Sequence, residues 1–84
     1  MKIEHTILTK VQSTNINFIG CNKSTHTMYV VFTNGARYKY FDIPEKIYLK
    51  VKNGEKRAKD GHYPSVGAAF DYYVKKRDYR YQRI

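Results

Sequence analysis

Between Met28 and Phe41 the chain reads M-Y-V-V-F-T-N-G-A-R-Y-K-Y-F, two runs of β-branched and aromatic residues around Thr33-Asn34-Gly35. Asn-Gly between such runs is a strong hairpin signal. Parity distinguishes the possible registers, because strand side chains alternate from face to face. A two-residue loop pairing Thr33 with Ala36 sets Phe32 beside Arg37 and Val30 beside Lys39. That arrangement mixes apolar and charged groups on both faces. A three-residue loop pairing Phe32 with Ala36 puts Met28, Val30, Phe32, Ala36, Tyr38 and Tyr40 on one face. Tyr29, Val31, Arg37, Lys39 and Phe41 then share the other. One apolar and one mixed face suits a half-buried antiparallel sheet, so the second register is expected, with Gly35 in the left-handed position.

Other elements arrange themselves around this hairpin. Residues 1–12 alternate loosely through Ile3, Ile7 and Val11, as an edge strand or an ordered arm. Asn15–Cys21 reads as a strand with Ile16 and Phe18 on one face, and Asn22–Thr25 as a polar turn. Asp42-Ile43-Pro44-Glu45 starts a helix, with proline tolerated in its first turn and Asp42/Glu45 spaced like a capping box. Ile43, Ile47 and Val51, with Tyr48 alongside, form one apolar stripe that ends at Asn53-Gly54. Ser65 is the expected N-cap of a second helix running from Val66 to about Arg77, with Val66, Phe70, Tyr73 and Val74 on its buried face. Gly67 in its first turn costs ~1 kcal/mol relative to alanine, which points to a close approach there. The alternation of Tyr79, Tyr81 and Arg83 predicts a terminal strand. The expected fold is α+β: a three-stranded antiparallel meander plus a C-terminal strand, with two short helices packed on one face.

Charge changes the picture more than length does. The 84 residues carry a net charge of +9. Residues 1–45 hold five Lys/Arg against three Asp/Glu, and residues 46–84 hold eleven against four. So uneven a balance points to an anionic partner rather than to solubility alone. The basic stretch around 52–63 contributes Lys52, Lys56, Arg57 and Lys59, joined by Lys50 from the first helix. Lys75, Lys76 and Arg77 suit the negative end of the second helix. Arg80 extends the positive surface. On the mixed sheet face Tyr29, Arg37, Lys39 and Phe41 combine rings and cations, as platforms for single strands do. A folded-back arm at 1–12 would instead cover Tyr29 and Phe41. Tyr38 and Tyr40 belong to the core under this register.

No catalytic constellation is found. His5, His26 and His62 are scattered and lack metal-ligand spacing with Cys21, which reads as a small buried hydrophobe. Ser13, Ser24 and Ser65 sit in turns or caps, and no glycine loop for phosphate is present. A lone cysteine excludes an internal disulfide. Glu4 and His5 interrupt any apolar leader, and no run is long enough to span a membrane. The expectation is a cytoplasmic binding module with no cofactor, no metal and no catalysis.

Taken in order, Ser13…Ile16, Met28-x-Val30-x-Phe32-x-x-Gly35-x-x-Tyr38-x-Tyr40-Phe41-x-Ile43-Pro44-x-x-Ile47-Tyr48, Ser65-x-Gly67-x-x-Phe70 and Tyr79-x-Tyr81-x-Arg83-Ile84 resemble the KTSC domain. This small family is named for an appendage at the carboxyl end of some lysyl-tRNA synthetases, and it also occurs alone in bacteria and phages. The resemblance spans residues 13–84 as a single domain. The arm at 1–12 lies outside the family core, and the basic stretch around 52–63 reads as an insertion. The synthetase connection implies RNA binding. A stand-alone phage member implies the alternative, docking on an acidic host or cellular protein to modulate or inhibit it, in the host cytoplasm.

Overall fold

The computed structural model describes residues 1–55 and 64–84. Strands β1 (Lys2–Ile3) and β2 (Thr6–Ile7) form a small hairpin. β3 (Thr9–Lys10), β4 (Ile16–Asn22), β5 (Thr27–Phe32), β6 (Arg37–Tyr40) and β7 (Tyr81–Arg83) form a five-stranded antiparallel sheet in chain order. Between β6 and β7 run α1 (Glu45–Lys52) and α2 (Val66–Phe70), and α2 continues as a π-helical turn over Asp71–Lys75. Among the described residues no helix is long and apolar enough to cross a membrane.

The hairpin takes the three-residue loop. Phe32 N–H donates to Ala36 O and Gly35 N–H to Phe32 O, both at 2.9 Å, and Gly35 lies at φ +92°. Val31 therefore opposes Arg37, and Met28 opposes Tyr40. Met28, Val30 and Tyr40 join Ile16, Ile19, Ile43, Val51, Phe70 and Val74 in one core between the sheet and the helices. The other face of β5 is covered as well. Leu8 from the arm packs on Tyr29 and Val31, with Ile3 and Phe18 at the margin. Burial on both faces explains why this strand is a continuous apolar run rather than an alternating one.

Ile16 and Phe18 do not share a face. Ile16 pairs with Phe32 but Phe18 with Val31, so one extra residue, Asn17, is accommodated in β4. Such a bulge reverses the parity of everything beyond it. Ile16 and Ile19 thus meet the helices, and Phe18 turns to the arm. The arm binds this bulged stretch: Val11 N–H donates to Asn17 O at 3.0 Å and Lys10 Nζ to Asn17 Oδ1 at 2.6 Å. It also runs so close to Gly20 that a Cβ there would lie 2.9 Å from Ile7 O.

The first helix lacks the expected capping box. The residue before a proline is driven to an extended conformation, so the helix begins after Pro44, which is its N-cap without a side-chain bond. Asp42 sits outside it at φ +58° and pairs with Arg80 at 3.5 Å. At the other end Gly54 N–H bonds Val51 O and Glu55 N–H bonds Lys50 O, the paired closure of a Schellman motif. Ser65 does cap α2, its Oγ accepting from Ala68 N–H at 3.1 Å. A Cβ on Gly67 would stand 2.6 Å from Asn15 Oδ1, so the close approach is to the turn entering β4. The second helix is not α-helical to Arg77. Lys76 N–H reaches back five residues to Asp71 O at 3.1 Å, widening the last turn.

Candidate nucleic-acid interface

The mixed sheet face is smaller than its sequence implies. Tyr29 is 3% exposed beneath the arm, and its hydroxyl donates to Glu4 Oε1 at 2.8 Å. It cannot offer a ring face to a base. Lys39 is drawn to the same carboxylate, with Nζ 3.0 Å from Oε2. Glu4 and His5 hold this latch at the arm's tip in left-handed conformations, φ 48° and 67°. The Lys39 and Tyr29 hydrogen bonds lower the Glu4 pKa from its ordinary value, and burial followed by the Glu4 bond raises that of Tyr29.

A pH dependence follows from the latch. A carboxyl lowered in the folded state contributes stability above its unfolded pKa, roughly 4.3, and loses it as pH falls through the folded value. Thermal melts should therefore separate wild type from Glu4→Gln at pH 7, by a small margin because the side chain is half exposed. The gap should close as pH drops below about 4. A gap that persists undiminished to about pH 2 would place the arm's attachment elsewhere.

What stays accessible on this side is Phe41 with its cations. The Arg80 guanidinium lies 5.0 Å from the Phe41 ring centroid and Lys39 Nζ 5.8 Å. Arg37 is exposed, with no side-chain partner among the described residues. Across the short turn that joins the π-helical segment to β7, Arg77 lies 5.1 Å over the Tyr72 ring, and Lys50 lies 5.5 Å over Tyr73. Lys76 pairs with Asp71 at 3.3 Å, while Lys52 and Lys75 project into solvent. Lys56, Arg57 and Lys59 lie outside the described residues.

A second concavity, missed in the sequence, opens on the helix-side face of the sheet. Here the β5–β6 hairpin, β7 and the end of the π-helical turn enclose a cleft of about 590 Å³. Tyr38, Tyr40 and Tyr81 line its floor, with Val74, Lys75, Asp78 and Tyr79 on the helical side. Tyr40 faces Tyr81 directly across the strands, ring centroids 5.5 Å apart, and Tyr38 lies 6.1 Å from Tyr81. The signal was the alternation Tyr38-x-Tyr40 matched by Tyr79-x-Tyr81, which becomes a cluster only when the two strands pair.

Among the described residues no group of three His, Cys, Asp or Glu could hold a metal ion. Cys21 is half-buried rather than buried, and burial followed by Glu45 raises its thiol pKa, leaving no activated thiolate.

Residues 12–59 match the KTSC domain profile. The chain belongs to the KTSC domain family. The crystal structure of a KTSC domain protein from Yersinia pestis shares the fold, with a TM-score of 0.73 and 22% identity over 94% of this chain and 97% of that one. Comparison with curated proteins returns no match. The profile covers β4, β5, β6 and α1 of this KTSC domain, whereas Val74, Lys75, Asp78, Tyr79 and Tyr81 of the cleft lie beyond it.

Proposed function

We propose that this KTSC domain is a non-catalytic module that binds single-stranded nucleic acid, RNA foremost. One observation carries the reading: Arg77 and Arg80, three residues apart on one turn, each spread over an aromatic ring at 5.1 and 5.0 Å. Guanidinium planes and rings together supply what an unpaired strand requires, stacking surface for bases and charge for phosphates. Both arginines lie in the more basic half of the chain, with Lys50, Lys52 and Lys75 on the same half and Arg37 at the hairpin end. Docking on an acidic protein is the second reading. It is favoured by the outer edge of β7, whose three residues are all exposed and open to strand addition.

Fluorescence anisotropy with single-stranded RNA, single-stranded DNA, duplex DNA and tRNA across a salt series tests the proposal. Wild type should bind the single strands at micromolar or tighter Kd at physiological salt. Arg77→Ala/Arg80→Ala should weaken them by about tenfold or more, and flatten the log K against log salt plot by roughly 0.7 for each phosphate no longer neutralised. Binding only at low salt, equal for every polyanion and unchanged in the variant, would favour the protein partner.

A further inference from the structure

We propose that the tyrosine cleft beside β7 receives a single unpaired nucleobase, stacked on the exposed ring of Tyr81 with the adjoining phosphate at Lys75. The inference rests on the nucleic-acid reading and gives that activity a specific pocket. Its size falls within the roughly 300–1,000 Å³ of small-ligand sites, and its walls suit a flat aromatic guest. Tyr81 is 63% exposed, although it lies in ring contact with Tyr38 and Tyr40. It therefore has stacking area that the fold leaves uncovered.

The polar groups around the rings are available as well. Tyr40 is only 7% exposed, and its hydroxyl has no hydrogen-bond partner among the described residues but is not itself a buried group, so it is open to a guest in the cleft that Tyr40 lines. Burial raises this phenol to about 12, so it stays neutral and can both donate and accept. Asp78 lines the cleft with no ion-pair partner among the described residues, and it is held at φ +56°. A carboxylate there accepts from the exocyclic amino group of adenine, cytosine or guanine, and finds no such donor on uracil. Lys75 is exposed at the rim, without an ion-pair partner among the described residues, Asp71 being paired with Lys76. The π-helical turn brings Val74 and Lys75 to this wall, and turns of that kind recur at functional sites.

The test is a short single-stranded RNA carrying one 2-aminopurine, followed by base fluorescence and anisotropy in the same titration. Stacking on tyrosine should quench the base as wild-type protein saturates. Tyr81→Ala, at a position exposed enough to leave the fold intact, should abolish the quenching and weaken binding about tenfold. Tyr81→Phe should retain both, and Asp78→Asn should erase the preference over an all-uridine strand. Unchanged quenching in Tyr81→Ala, or an abasic strand bound as tightly as the intact one, would overturn the cleft while leaving the outer arginine surface standing. Absence of any strand binding at physiological salt would overturn both.

Discussion

Phe70→Ala should lower the thermal midpoint by roughly 12–40 °C, the largest stability effect expected of a single substitution here. Phe70 is 2% exposed at the last residue of α2, with its ring edge-on to Phe32 at 5.8 Å and to Tyr40 at 5.4 Å. It joins the second helix to both strands of the central hairpin. Truncating a buried phenylalanine costs ~3–5 kcal/mol through lost transfer energy and the cavity left behind. In a domain of this size each kcal/mol moves Tm by ~4–8 °C, and the whole stability is only ~4–13 kcal/mol at 0.05–0.15 per residue. The chain has no disulfide to compensate. Calorimetry or circular dichroism melts check the shift, with Phe70→Leu as the milder control. A drop of only a few degrees would mean that α2 is not fastened to the sheet through this ring.

Ile16→Ala is expected to be nearly as damaging, because Ile16 is fully buried on the helix side of β4. Asn17 is the extra residue of the β4 bulge, and by standing out of the alternation it lets Ile16 and Ile19 face the helices while Phe18 faces the arm. Deleting Asn17 makes Ile16 the direct neighbour of Phe18, so strict alternation keeps the two on opposite faces and leaves Ile16 opposite Phe32. Truncating Ile16 should cost ~2–5 kcal/mol, whereas the deletion loses the Asn17 bonds to Val11 and Lys10 and keeps the core. The denaturant midpoint of Ile16→Ala should therefore fall well below that of the Asn17 deletion. Equal midpoints would show that the bulge, rather than the side chain it places, holds this strand to the core.

Phe70 and Asn17 also mark where sequence reasoning succeeded and where it stopped. Phe70 was legible because Val66, Phe70, Tyr73 and Val74 recur at helical spacing after a serine cap. The hairpin register was legible because only one parity gives a clean apolar face. Asn17 was not, because a single inserted residue leaves no mark until the partner strand shows what each neighbour opposes. Tyr29 was misplaced among the binding residues for a related reason. Its burial depends on an arm whose tip carries two non-glycine residues at positive φ and whose latch joins Glu4 to Lys39, 35 positions apart. Capping by Asp42 failed because Pro44 forces extended backbone just where the box would form. Among the candidate cations, Arg77 and Arg80 could be named from composition, but the rings beneath them, Tyr72 and Phe41, are fixed only by the turn between helix and strand.

The most direct measurement is an amide chemical-shift titration of the ¹⁵N-labelled protein with a single-stranded RNA of about eight nucleotides, chosen to match the few-nucleotide footprint of small sheet platforms. Perturbations should concentrate on Phe41 and on Tyr72 through Tyr81, while Tyr29 and residues 1–10 stay quiet beneath and within the arm. Shifts confined to the arm, or no shifts at physiological salt, would contradict a nucleic-acid surface built on Arg77 and Arg80.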